Sequence, residues 1–322
     1  MLPIMDANAS PTRTASLIAR LRNHAGAQVR AITRSNSGLT LDYDHPPGDP
    51  GLFGPDAVCW RVHADFPAML AGGVSALLLQ ALHPRALAGV WDHSTFRVDM
   101  QGRLGRTAQF IAGTTYGSRA EAMQLIERVR RIHAGIRGTA PDGQPYAADD
   151  PALLTWVHVA EVSSFMAGYL RYVGPLSVDE QDRYFAEQAR IAALLGAPDV
   201  PASRAAIDAY LAAQRPSLVA SERTHEVVRL VMSMPVARRQ LLPAVRVMTD
   251  AGVALLPPWA REMLRLDGAS FRRPLSLAAM RVLAPTMRWT LGSGLAARAR
   301  RRVQAGVPSP PAPLPEGEGS KQ

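Results

Sequence analysis

Residues 118–133 read Ser118-Arg119-Ala120-Glu121-Ala122-Met123-Gln124-Leu125-Ile126-Glu127-Arg128-Val129-Arg130-Arg131-Ile132-His133. Ala122, Leu125, Ile126, Val129 and Ile132 recur at three- and four-residue intervals, the period of a helix that buries one face. Ser118, with Glu121 three residues on, forms the reciprocal capping pair that opens such a helix. His133 continues the apolar stripe, with Ile136 beyond it, and is expected to point toward the core. An imidazole buried there needs a partner, either a carbonyl or hydroxyl of the protein or a ligand.

The preceding segment, residues 99–116, is also helical and joins this one near Gly117. It carries Arg103-Leu104-Gly105-Arg106-Thr107, with Arg103, Arg106 and Thr107 three and four residues apart on one face. Two cations, a hydroxyl and an imidazole on neighbouring helices suit a bound cofactor better than plain packing.

The same period recurs along the chain, and strand-like alternation is hard to find. Helices are expected over residues 12–32, 58–69, 73–82, 99–116, 118–137, 152–172, 177–195, 205–213, 221–232 and 236–255. A further helical region, 274–303, should break at Pro285 and Gly292. Pro84 should end the helix before it. Residues 36–55 and 139–151 are rich in Gly, Pro and Asp and read as loops. From Val307 onward the composition is low-complexity and Pro-rich. These patterns give an all-α fold: a single multi-helix, bundle-like domain over residues 51–305. A helix and loop (1–50) precede it, and a disordered tail (306–322) follows.

With 322 residues, 47% of them hydrophobic, the chain can bury a substantial core. Its single cysteine, Cys59, excludes an internal disulfide, a Cys-rich zinc site and Cys-x-x-Cys-His haem attachment. The N-terminus shows neither a basic region nor a continuous apolar one, so a cytoplasmic protein is expected. The net charge of +9 is uneven. Between Arg261 and Arg302 ten arginines face only Glu262 and Asp267. Such a segment suits a solvated face, an anionic membrane surface contacted peripherally, or nucleic acid. No helix-turn-helix or aromatic-basic surface accompanies it, so no nucleic-acid partner is expected. Residues 66–84 carry no charge over nineteen positions, yet Pro67, Gly72, Gly73, Gln80 and His83 mark a buried core helix rather than a span. Residues 274–295, interrupted by Arg281 and Arg288, read as an element lying on a membrane, not crossing it.

Other chemistries lack their parts. Glu222-Arg-Thr-His225 is a single Glu-x-x-His, whereas a di-iron bundle needs two with two further glutamates. There is no His-Glu-x-x-His, phosphate-binding loop or Gly-x-Ser-x-Gly. His158 shares a helix face with Leu154, Val162 and Phe165, near Glu161, and suits a structural or a pocket role equally. His83, at a helix end, should satisfy free carbonyls. His93 reads as a turn residue.

The block from Gly54 to about Leu195 resembles the MpaB / latex-clearing-protein oxygenase family. The segments that carry the resemblance are Leu77-Leu-Leu-Gln-Ala-Leu-His83-Pro, Arg103-Leu-Gly-Arg106-Thr107, Tyr116-Gly117, Val129-Arg-Arg-Ile-His133-Ala-Gly-Ile-Arg and Trp156-Val-His158. The resemblance implies an all-α protein with b-type haem in a pocket between helices, reminiscent of the globins. His133 would match the proximal iron ligand, and Arg103 and Thr107 the polar lining of the pocket. His158 and His83 would stand further out around the cofactor. Arg106 falls where rubber-cleaving members carry a lysine that reaches the distal iron position. Arginine keeps its proton and ligates metals poorly, which leaves that position open or to water. Arg106 and the missing secretion signal point away from direct rubber cleavage. The implied activity is that of a haem b (iron) oxygenase using dioxygen on a hydrophobic, isoprenoid or other alkene- or lipid-like substrate. The alternative is a non-catalytic helical haem- or lipid-binding protein, peripheral to a membrane.

Overall fold

A computed structural model describes residues 40–234, 239–267, 272–292 and 294–306. The expected helix over 12–32 and the tail from Val307 lie outside them. Thirteen α-helices make up the described fold, with one small hairpin. The first five are α1 (Val58–Ala64), α2 (Phe66–Gln80), α3 (Pro84–His93), α4 (Met100–Tyr116) and α5 (Arg119–Ala134). Strands β1 (Arg137–Thr139) and β2 (Pro145–Ala147) then pair antiparallel, with Gly138 opposite Tyr146. They are followed by α6 (Pro151–Tyr172), α7 (Val178–Leu195), α8 (Arg204–Gln214) and α9 (Glu222–Met232). The C-terminal part holds α10 (Leu242–Val253), α11 (Pro258–Met263), α12 (Arg272–Leu291) and α13 (Leu295–Gln304). The all-α expectation holds.

The centre of the molecule is the antiparallel pair α2–α6. Small residues let the two backbones meet. A Cβ on Gly72 would lie 2.8 Å from the Phe165 ring and 3.0 Å from the Ser164 carbonyl oxygen. One on Gly168 would lie 2.7 Å from the Ala68 carbonyl oxygen. A second face of α2 meets α10, where Gly252 sits against Val74. Met280, Ala284 and Met287 of α12 close over Ala71, Met248 and Ala251. The main core gathers around Trp60, Trp156, Tyr184, Leu78 and Leu79.

Local signals set most helix ends where the sequence puts them. Ser118 and Glu121 cap α5 reciprocally, as do Ser177 and Glu180 for α7. Several boundaries differ: α3 and α11 were not expected, and α10 begins at Leu242 where a helix was expected from residue 236. The break between α1 and α2 falls at Asp65, not at Gly72-Gly73. Asp65 caps α2 by accepting from Ala68 N, and Pro67 fits the first turn, where no N–H is needed. Pro84 opens α3 rather than only ending α2, and α12 runs through Pro285 to Leu291. Helix α5 stops at Ala134, and the chain turns into β1 where the helix was expected to reach residue 137. No single helix among the described residues is long and apolar enough to cross a membrane. Helices α1 and α2 reach that length only as a pair bent by 91°.

Candidate functional site

Helices α4 and α5 form a hairpin that turns at Gly117. Asp99 caps α4 by accepting from Gly102 N at 2.8 Å. Arg103 lies in the first turns of α4 and His133 in the last turn of α5, each about fifteen residues from the bend. Both therefore lie in the half of the hairpin away from the bend, Arg103 on one helix and His133 on the other. Just beyond His133, Ile136 packs with Ala88 of α3, Tyr146 of β2 and Leu153 of α6. The open end thus sits against the first turns of α6, the helix that carries His158.

Several polar groups on these helices are under-satisfied. His133 is half-buried, its Nδ1 buried without a hydrogen-bond partner. Burial pulls its pKa down, and Asp149 opposes the shift. The Nε2 of His158 is likewise buried and unpartnered, and burial lowers that imidazole to about 4. Arg103 donates to Ser94 Oγ at 3.3 Å and rests 6.0 Å over the Phe96 ring. No carboxylate among the described residues pairs with it. Burial, and then the neighbouring Arg106, lower its pKa to about 10. Arg106 turns outward to Thr95 Oγ1 at 3.5 Å and Asp99 Oδ2 at 3.7 Å. Thr107 is exposed on the same face.

Glu161 is the residue whose weight the sequence reading missed. It is the sole carboxylate on α6, one turn after His158, and burial alone raises it to about 7. Gln80 Nε2 donates to the Val157 carbonyl at 3.1 Å, and Gly72 abuts Ser164 and Phe165. That register sets Glu161 level with Ala76 of α2, and His158 level with Leu79. On a further side of α2 lie Phe66, Met69, Leu70, Gly73, Leu77 and Gln80, all half-buried, with Phe66 and Leu70 packed against the α10–α12 cluster. At Gly73 a Cβ would meet nothing within 4 Å. Arg103, His158 and Glu161 keep some accessible surface although burial governs their titration. The available signal was a lone acid in an otherwise apolar helix, three residues from a histidine.

Other histidines are accounted for. His63, which sequence reasoning passed over, is buried with Nδ1 2.9 Å from Thr115 Oγ1 and Nε2 3.1 Å from Tyr184 Oη, so its role is structural. His83 accepts from Ala86 N at 3.4 Å through Nδ1 and opens α3, where the sequence reading expected it to satisfy carbonyls at a helix end. It also lines a separate polar cavity of about 440 Å³ with Arg85, Asp142, Gln144 and Gln214. His93 closes α3 and stands edge-on to Tyr146.

Comparison with known families places residues 60–305 within the model described as "ER-bound oxygenase mpaB/B'/Rubber oxygenase, catalytic domain". The chain belongs to this family. The match spans α1 to α13, including every residue of the hairpin, α6 and α2. No curated protein and no solved structure matches the chain. As a member of the MpaB/rubber oxygenase family, the chain is an oxygenase-type domain, a class that acts on a small-molecule substrate with dioxygen.

Proposed function

We propose that the chain is a haem b-dependent oxygenase acting on a hydrophobic, isoprenoid or other alkene-bearing substrate. The observation that carries this reading is two unmet needs, one on each helix of the α4–α5 hairpin. Among the described residues His133 offers an imidazole whose Nδ1 finds no hydrogen-bond partner, and Arg103 a half-buried guanidinium that finds no carboxylate. A haem fits both, since its iron takes an imidazole and its propionates take an arginine. Among the described residues no cluster of three or more His, Cys, Asp or Glu side chains could chelate a bare ion. A porphyrin-held iron asks for one axial side chain only.

When bound, the haem would supply the activation of dioxygen. The protein's own residues would do the rest. His133 would hold the iron, and Arg103 and Thr107 would hold the polar edge of the cofactor. The apolar side of α2 around Met69, Gly73 and Leu77 would seat an apolar molecule and exclude water. His158, neutral at physiological pH, and Glu161, which binds a proton near neutrality, would receive or return a proton on α6. Arg106, occupied by Thr95 and Asp99, would not serve as a distal ligand in the way the lysine of rubber-cleaving members does.

Protein purified from haem-replete cells should show a Soret band and the pyridine haemochrome of haem b. His133→Ala should abolish or shift that band. A colourless, iron-free protein would overturn the reading. Oxygen uptake coupled to alkene loss separates the oxygenase from a haem or lipid carrier, which would bind without consuming oxygen.

A further inference from the structure

Helix α12 has one face in the core and an opposite face that nothing among the described residues covers. Met280, Ala284 and Met287 point inward. On the other side Leu275, Ala278, Val282, Pro285 and Trp289 fall within an arc of about 80° at helical spacing. All five are exposed. Leu275 is 67% exposed, Val282 72% and Trp289 52%, the most accessible cluster of large apolar side chains in the described fold. A soluble helix normally carries polar residues there.

The charge around this stripe has one sign. Residues 268–306 contain eight arginines and no aspartate or glutamate. Arg288, Arg298 and Arg301 meet Asp65 and Asp44 on other elements, and Arg302 is buried. Arg281 stands exposed at the edge of the stripe, and Arg300 is exposed on α13. Arg272 and Arg273 begin α12. A second copy of this face would set arginines against arginines. An anionic bilayer instead offers phosphates to the cations and an apolar layer to Leu275 and Val282. Its headgroup boundary is where a tryptophan settles.

We infer that the outer face of α12 docks the protein on an anionic lipid surface, lying in its plane without crossing it. The stripe enters the acyl boundary, and Arg281 at its edge meets the headgroups.

Co-sedimentation of the full-length protein with phosphatidylcholine vesicles, with and without phosphatidylserine, tests this and needs neither haem nor turnover. The protein should pellet with the anionic vesicles and stay in solution with the neutral ones. Val282→Glu combined with Trp289→Gln should weaken binding about tenfold or more. Arg281→Glu should weaken it by about tenfold and lessen its loss on adding salt. Because these side chains are exposed, melting temperatures should stay close to wild type, which separates lost docking from lost folding. No binding by the wild type, or full binding by the Val282→Glu/Trp289→Gln variant, overturns the inference. So does a concentration-dependent dimer in sedimentation velocity that Val282→Glu dissociates, since a second copy would then be what covers the face.

Discussion

Glu161 shows how one side chain's surroundings set its chemistry. No cation among the described residues meets it, and burial alone lifts it from 4.5 to about 7. Between those values the folded protein holds a proton that the unfolded chain has released. Its contribution therefore lowers stability as pH rises through that window. Glu161→Gln removes the penalty. Thermal melts should show the variant more stable than wild type at about pH 8, by up to about 3 kcal/mol, and nearly equal to it at about pH 5. The buried neutral histidines act with the opposite sign. His158 and His83 fall from 6.5 to about 4, and His63 to about 3. The stability they contribute is complete above about 6.5 and lost as pH falls through that range, so acid should unfold the protein early. At this scale the helical stripe made His133 legible. Its unmet Nδ1 was not, because a missing partner is a fact about neighbours distant in sequence.

Among the elements, α2 carries two adjacent glycines with opposite tasks. Gly72 touches α6, and a methyl group there would press on Phe165 and on the Ser164 carbonyl. Gly72→Ala should destabilise by about 2 kcal/mol in urea unfolding. Gly73 faces open space, where a methyl meets nothing within 4 Å. Gly73→Ala should be neutral or stabilising by about 0.5–1 kcal/mol through helix propensity. Both variants measured alike would refute the assignment of faces. The pair reads in sequence as an interruption, yet the helix runs through it and breaks at Asp65 instead. Capping pairs were legible because they act within one turn. The faces of α2 were not, because glycine carries no hydrophobic signal to tell a close contact from an empty space. The hairpin of β1 and β2 was missed for a related reason. Three-residue strands are too short to show alternation, and Tyr146 holds theirs by donating to Asp92 at 2.7 Å.

Across the whole molecule, the two ends of the described chain are clasped through Arg302, only 1% exposed. Its guanidinium donates to the carbonyls of Asp49 at 2.9 Å, Gly117 at 3.2 Å and Tyr43 at 3.4 Å, and its own carbonyl accepts from Gly48 N at 2.7 Å. Arg302→Met should cost about 3 kcal/mol by leaving three carbonyls unpaired, two of them buried. It should also release α13 to limited proteolysis before the rest unfolds. In sequence Arg302 is one of a basic run that reads as a surface. The fold divides that run: Arg302 becomes an internal strut, Arg288 and Arg298 bind carboxylates far away in sequence, and Arg281 stays free on the outer face of α12. The sequence by itself determined the helical class, the helix caps and the placing of Arg103 and His133 on two consecutive helices. Each of these rests on periodicity or on contacts within a turn. Tertiary structure alone decided which polar groups lack partners, why Glu161 binds a proton near neutrality, and which arginine is buried. Desolvation and pairing depend on what the rest of the chain brings near, and for Arg302 the Tyr43 carbonyl comes from 259 residues away.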